Sequence, residues 1–277
     1  SWNVSNVTDM SYMFYYATAF NKSISSWNVS NVTDMSYMFK NATAFNQNIN
    51  DWNVSNVTDM ESMFENATSY DSGDSSLEDW GMNVTNVTNM KNMFKNATSF
   101  RGYGLDGWLI QNVTTMEGMF SGASSLKIIL ELKTNTDRPF ISVQNISSMF
   151  QDVNFNNIQN KNNIKLWNVS SVTDMSGMFY NATNFNKDIS SWNVSNVTDM
   201  SFMFDGATSF NQDIERWNVS SVTNMTLMFN NAIAFNQPIE NWNVSNVRKM
   251  ESMFSGASLF NQDIETWNVS NVNTMEG

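Results

Sequence analysis

Apolar and polar residues alternate at the start of a motif that recurs along the chain. In the second copy of this motif, Trp27 and Val29 are apolar, whereas Asn28 and Ser30 are polar. Alternation with a period of two is typical of a half-buried strand. The motif therefore predicts a short strand that exposes Asn28 and Ser30.

A second periodicity follows directly along the chain. Val32, Met35, Met38 and Ala42 are separated by steps of three and four residues, which place side chains on one face of a helix. Thr33 precedes most of this stripe and is a residue type that caps helix N-termini. The stripe therefore predicts a short helix that begins near Thr33.

The same two patterns recur throughout the sequence of 277 residues. The dipeptide Met-Phe occurs ten times, at intervals of 25 to 30 residues, and an eleventh copy begins at Trp267. A unit of this length cannot bury its own apolar face, but stacked units can. We therefore predict a single α/β solenoid over residues 1–277, a right-handed coil of about eleven units. Each unit would contribute one short strand and one short helix, and the strands would form a parallel sheet on one face.

The unit resembles the repeat of a known family. Its consensus, W-N-V-S-N-V-T-D-M-S-x-M-F followed by N-A-T-x-F-N-Q-D-I, is similar to the 25-residue repeat of BspA-like leucine-rich-repeat surface proteins. This resemblance implies a leucine-rich-repeat-like fold, display on the cell surface and a role in adhesion or in contact with host or matrix. It implies no catalytic residues.

Units between residues 69 and 166 depart from the consensus. They contain extra residues and several lose the Trp-Asn-Val-Ser signature. Repeat drift is one interpretation. The other is a binding patch, because a unique ligand would favour the irregular units. The candidate residues for such a patch are Arg101, Tyr103, Lys133 and Arg138.

Composition excludes several functional classes. Histidine and cysteine are absent, which removes His-dependent triads, Cys nucleophiles and Cys/His zinc sites. The net charge of −12 argues against a nucleic-acid partner. No apolar run is long enough to span a membrane. We therefore predict a protein that is not an enzyme and that uses no cofactor and no metal, although Asp188, Asp213 and Asp263 recur in one turn and invite comparison with a calcium site.

Asparagine is unusually abundant, with 45 residues in the chain. Many of these residues lie in N-x-S/T sequons, which are glycosylation sites only in a eukaryotic secretory route. The alternative is that Asn, Ser and Thr side chains satisfy backbone groups in turns and caps. The better glycosylation candidates lie near the predicted helix end, at Asn41, Asn66, Asn96 and Asn181.

The exposed face of the predicted sheet is the candidate binding surface. The residues predicted to form it are Asn28, Ser30, Asn53, Ser55, Asn193, Ser195, Asn218 and Asn243. We expect an extracellular scaffold that binds a cell-surface or matrix protein or a glycan through many weak contacts along this face. The alternative is a structural filament, because no polar capping unit is visible at either end and uncapped units can associate end to end.

Overall fold

Each unit of the chain stacks on the unit before it. The computed structural model describes residues 2–74, 76–131 and 142–277. One residue per unit forms a parallel bridge with its counterpart in the next unit, from Asp9 with Asp34 to Lys249 with Thr274. We call these residues the bridge column. Its members are Asp9, Asp34, Asp59, Asn89, Thr115, Asn145, Asp174, Asp199, Asn224, Lys249 and Thr274.

The predicted α/β architecture is wrong. Throughout the described ranges the structure contains no α-helix, and its pairing is limited to isolated single-residue bridges rather than strands of a sheet. Most of each unit consists of turns and irregular backbone. The stack is therefore not a parallel-sheet α/β solenoid, and it has no strand and helix in each unit.

A ribbon of turns replaces the predicted helix. In the unit that contains Met200, the backbone N–H groups of Met203, Asp205 and Ala207 each bond to the carbonyl three residues earlier. The N–H groups of alternate residues, including Met200 and Phe204, bond instead to carbonyls of the next unit. The stripe of apolar residues is real, but some of its N–H groups bond to the next unit and the others to the carbonyl three residues earlier, so the α-helical bonds to the carbonyl four residues earlier do not form.

Left-handed backbone at two positions per unit also excludes a helix. Tyr37 and Asn41 have φ values of 58° and 61°, and their counterparts in other described units are also positive. Such residues are the third of four in turns that require φ above zero. An α-helix needs negative φ at every position.

The helix-capping prediction fails for the same reason. The Thr33 hydroxyl donates to the Thr8 carbonyl of the preceding unit at 3.1 Å, so it bonds between units and caps nothing. Thr58 makes the equivalent bond to Thr33.

All helical segments in the described residues are short 3₁₀ helices. They lie in the irregular units, where the chain carries extra residues between the conserved turns. Their bounds are Ser72–Asp74, Glu78–Trp80, Val84–Asn86, Leu105–Gly107 and Lys161–Leu166.

The core is a set of stacked side-chain columns. The Phe of each Met-Phe pair stacks on the equivalent ring of the next unit, with centroids 5.3 to 6.0 Å apart from Phe14 to Phe254. A second ring, such as Phe210 beside Phe204 at 3.8 Å, packs within most units. The expected Met-Phe column is confirmed, and its interior members are fully buried.

Tryptophans form another column and also link the units. The Trp192 and Trp217 rings are parallel and 6.4 Å apart. The Nε1–H group of Trp217 donates to the Ile189 carbonyl at 3.2 Å, so the buried indole is satisfied by the preceding unit. The tryptophans therefore contribute both to the apolar core and to the polar links between units.

Candidate functional site

The residues predicted to form a sheet face lie on the surface and close their own turns. Asn28 is exposed, and its Oδ1 atom accepts the backbone N–H of Ser30 at 3.1 Å. Asn53 makes the same bond to Ser55 at 3.0 Å. The equivalent bonds of the later units run from Ser195 to Asn193, from Ser220 to Asn218 and from Ser245 to Asn243. The structure therefore places these residues in repeated columns, although no sheet supports them.

A second asparagine links neighbouring units in many copies of the motif. Asn31 Nδ2 donates to the Ser5 carbonyl at 2.7 Å, and Asn56 Nδ2 donates to the Ser30 carbonyl at 2.7 Å. Amide side chains are suited to this role because each supplies both donors and an acceptor. Sequence reasoning treated Ser30 as a ligand contact and missed that its carbonyl holds the next unit.

The four glycosylation candidates occupy the second left-handed position of their units. Asn41, Asn66, Asn96 and Asn181 have φ values between 54° and 61°. Asparagine tolerates this conformation better than most residues, and glycine replaces it in other units, for example at Gly206. We call this position the asparagine column.

Members of the asparagine column also bond to each other. Asn96 Nδ2 donates to Asn66 Oδ1 at 2.9 Å, and Asn66 Nδ2 donates to Asn41 Oδ1 at 2.9 Å. Asn96 and Asn181 are exposed, whereas Asn41 and Asn66 are half-buried. Backbone geometry and these bonds give the column a structural role that requires no glycan.

An exposed column of threonines runs beside the bridge column. Thr198 donates its hydroxyl to the Thr173 carbonyl at 3.1 Å, and Thr223 does the same to Thr198. The backbone N–H group of each threonine bonds to the same carbonyl. We call these residues the threonine column. Its members are Thr8, Thr33, Thr58, Thr88, Thr114, Thr173, Thr198 and Thr223, all exposed.

Sequence reasoning did not identify the threonine column as a surface feature. It assigned Thr33 to a helix cap, so the threonines were never aligned with each other. The available signal was the recurrence of threonine at one position in eight units.

Carboxylates lie close enough to Asp59, in the bridge column, to influence its pKa. Burial raises the pKa of Asp59 above its ordinary value, and the neighbouring charges of Asp34 and Glu61 act in the same direction. The N–H group of Glu61 and Asn89 Nδ2 donate to Asp59 and limit this rise. Burial and the hydrogen bond to Glu61 also raise the pKa of Tyr37 far above its usual range.

The irregular-unit candidates are only partly described. Arg101 forms an ion pair with the buried carboxylate of Asp71, and its guanidinium lies 5.1 Å from the centre of the Tyr103 ring. The structure therefore brings Arg101 and Tyr103 together. Lys133 and Arg138 lie outside the described residues.

The aspartates that were compared with a calcium site accept hydrogen bonds within their own turns. Asp213 and Asp263 accept the backbone N–H groups of Glu215 and Glu265, and Asp188 accepts those of Ser190. Hydrogen bonds from the Ser190 hydroxyl and then from the Ser190 N–H group lower the pKa of Asp188. No group of three or more potential metal ligands occurs in the part of the chain that the structure describes.

The last units of the stack contain concave regions of different polarity. A cavity of about 470 Å³ is lined mainly by apolar side chains of the last units, including Met253, Phe254 and Trp267. A polar cavity of about 370 Å³ lies between Thr223 and Arg248. Among the described residues, no helix has the length and apolar character needed to cross a bilayer.

Comparison with known proteins identifies a family. The model of the family described as "Mycoplasma protein of unknown function, DUF285" matches residues 1–100, 74–157, 144–239 and 213–277, so the overlapping matches extend along the whole chain. A comparison with curated proteins finds no match. The repeated matches show a repeat protein of this family, and they do not confirm the BspA-like family that the motif resembles.

Proposed function

The chain belongs to the DUF285 family, and from this premise we propose that it is a non-enzymatic extracellular scaffold for adhesion or recognition. Its partner would be a cell-surface or matrix protein or a glycan, bound through many weak contacts along one face. Placement at the cell surface rests on the resemblance of the unit to BspA-like repeats.

One observation carries this proposal: equivalent polar side chains are exposed at the same position in successive units. Asn28 and Asn53 are both exposed, as are Asn193, Asn218 and Asn243. Because the bridge column fixes the register of neighbouring units, these groups recur at regular intervals, beside tryptophan rings that are 6.4 Å apart in neighbouring units such as those of Trp192 and Trp217. A repetitive partner can contact several units at once, and each contact raises the effective concentration of the next.

The proposal is tested by removing whole units. Fluorescent chains lacking residues 192–216, or residues 192–241, would be compared with the full chain for binding to cultured epithelial cells by flow cytometry. We expect the apparent Kd to rise by a similar factor for each unit removed. A binding loss that is complete after one unit, or full-length chain that does not bind at all, would contradict a multivalent scaffold.

End-to-end association is the alternative proposal. Its support is the equivalence of the units, since the donors of one match the acceptors of the next at every described junction, such as Thr198 N–H with the Thr173 carbonyl. Negative-stain microscopy separates the two proposals. Concentration-dependent fibres would favour the filament, and single short particles would favour the scaffold.

A further inference from the structure

The threonine column differs chemically from an ordinary polar surface because its donors are already used. Each hydroxyl has a single hydrogen, and in seven units that hydrogen points to the carbonyl of the preceding unit at 3.0 to 3.3 Å. The backbone N–H groups of the same residues bond to the same carbonyls. The exposed hydroxyl oxygens therefore offer lone pairs and no hydrogen.

The adjacent bridge column extends this acceptor surface. Its side-chain oxygens accept the N–H group two residues later, as Asp199 does from Ser201 at 2.8 Å, which fixes their orientation. Carboxylates occupy the column at Asp34, Asp59, Asp174 and other positions, and a carboxylate is an acceptor only. The threonine column and the carboxylates of the bridge column thus present hydrogen-bond acceptors at intervals of about 4.8 Å. The bridge column also carries amide donors at Asn89, Asn145 and Asn224 and an ammonium group at Lys249.

We propose that this surface, formed by the threonine column and the bridge column, binds a neutral, hydroxyl-rich polysaccharide that lies along the stack. Sugar hydroxyls are donors, and a chain of similar sugars supplies them repeatedly to a row of acceptors. The inference rests on the proposed scaffold function and names the class of its ligand.

The charges of the chain and of the bridge column favour a neutral repetitive ligand over a charged one. An acidic polysaccharide would meet a chain of net charge −12 and the carboxylates of the bridge column. A polycation would find carboxylates at Asp34 and Asp59 but not at Asn89, Thr115 or Asn145, where the column is uncharged. Hydroxyl donors suit both stretches, because they bond to neutral and charged acceptors alike.

One unit of the chain carries a residue that suggests a variant in which the proposed surface is blocked. In the tenth unit, Arg248 occupies the position of the threonines, and its backbone N–H group still bonds to the Thr223 carbonyl at 2.9 Å. Thr198→Arg should therefore fold, because the column already accommodates this residue type. It should also place a long cationic donor across the acceptors of its neighbours.

The experiment measures binding of the full chain to immobilised dextran and to a soluble neutral β-glucan, with heparin and polylysine as charged probes. We expect binding to at least one neutral glycan. We also expect T198V/T223V to weaken that binding by about fivefold per threonine, as lost hydrogen bonds do, and T198R to weaken it further. Valine leaves the backbone bonds between units in place.

A matched control comes from a second series of threonines with the same bond between units. Thr98 and Thr208 donate their hydroxyls to Thr68 and Thr183, at another position of the unit. T98V/T208V should match T198V/T223V in melting temperature and retain full glycan binding. Equal loss in both double variants would overturn the assignment to the threonine column.

The outcomes separate this inference from the scaffold proposal. Binding to cells without binding to any neutral glycan would overturn the inference and leave the scaffold standing. Preferential binding to heparin or polylysine would also overturn the inference, because charge rather than hydroxyl donation would then select the ligand. Failure to bind cells or glycans would contradict both.

Discussion

Asn66 Nδ2 donates a hydrogen bond to Asn41 Oδ1 at 2.9 Å, across a distance of 25 residues in the sequence. Both residues have left-handed backbone, with φ values of 57° and 61°. One residue type therefore meets two requirements, a positive φ within its unit and a polar contact between units. This explains why asparagine and glycine share the column.

Substitutions at Asn66 should separate these two requirements. We expect Asn66→Ala to lower the free energy of unfolding by about 1–2 kcal/mol, because alanine has neither the amide bond nor tolerance of positive φ. Asn66→Gly should cost less, because glycine accepts this φ freely. Urea unfolding of both variants measures the difference, and a glycine variant less stable than the alanine variant would contradict this account.

The phenylalanine column should respond strongly to truncation. Phe204 is fully buried between the equivalent rings of Phe179 and Phe229. We expect Phe204→Ala to lower the free energy of unfolding by about 3–5 kcal/mol through lost contacts and a residual cavity.

Phe202, two residues earlier, is the matched control. Its side chain is 38% exposed and its φ is 59°, an unfavourable value for a bulky residue. Serine occupies this position at Ser62 and Ser252. Phe202→Ser should therefore change stability by less than about 1 kcal/mol, and equal losses at Phe202 and Phe204 would show that burial does not govern stability here.

Asp59 should make stability depend on pH in a specific direction. Its pKa is raised in the folded chain above the ordinary value of 3.8, so the fold favours the protonated form. Stability is therefore gained as the pH falls through the raised pKa and is lost as the pH rises through it. Asp59→Asn should raise the melting temperature at pH 7, and this gain should disappear below about pH 4, near the unperturbed pKa of aspartate.

Asp9 provides a control of opposite sign. Hydrogen bonds from Ser11 lower the pKa of Asp9, so its charged form stabilises the fold above pH 3.8 and that contribution is lost as the pH falls. Asp9→Asn should not raise the melting temperature at pH 7. Thermal melts of both variants between pH 3 and pH 7 check the two directions.

Whole-unit deletion should be tolerated where partial deletion is not. Removing residues 192–216 joins Ser191 to Trp217, which restores the original register of every column. Removing residues 192–203 would place Phe204 where Trp192 belongs. We expect a cooperative thermal transition for the first variant only, measured by circular dichroism, because each unit contacts mainly its neighbours.

The sequence predicted the units, their stacking and the buried columns, since the recurring Met-Phe pairs reveal which side chains must align. It did not predict the local backbone. The spacing of Val32, Met35 and Met38 suits a helix, and it suits equally a ribbon of turns in which every third or fourth side chain points into the core. The two differ in the destination of alternate N–H groups, which bond to the next unit, and in the positive φ at two positions per unit.

The surface was predicted in part for a related reason. The exposed asparagines at Asn28 and Asn193 were found because alternation revealed them. The threonine column was missed because Thr33 next to an apparent helix suggests a cap. Left-handed φ at Tyr37 could not be anticipated, since tyrosine is an unfavourable residue for this conformation.

The parallel bridges that join one unit to the next have a mechanical consequence. Pulling on the two ends of the stack would load every junction, but a terminal unit would unfold first because it is held by a neighbour on one side only. Extension should therefore proceed by peeling, with each step releasing about 85 Å of slack for a 25-residue unit. Such a chain would lengthen under tension one unit at a time, while the remaining units stay folded.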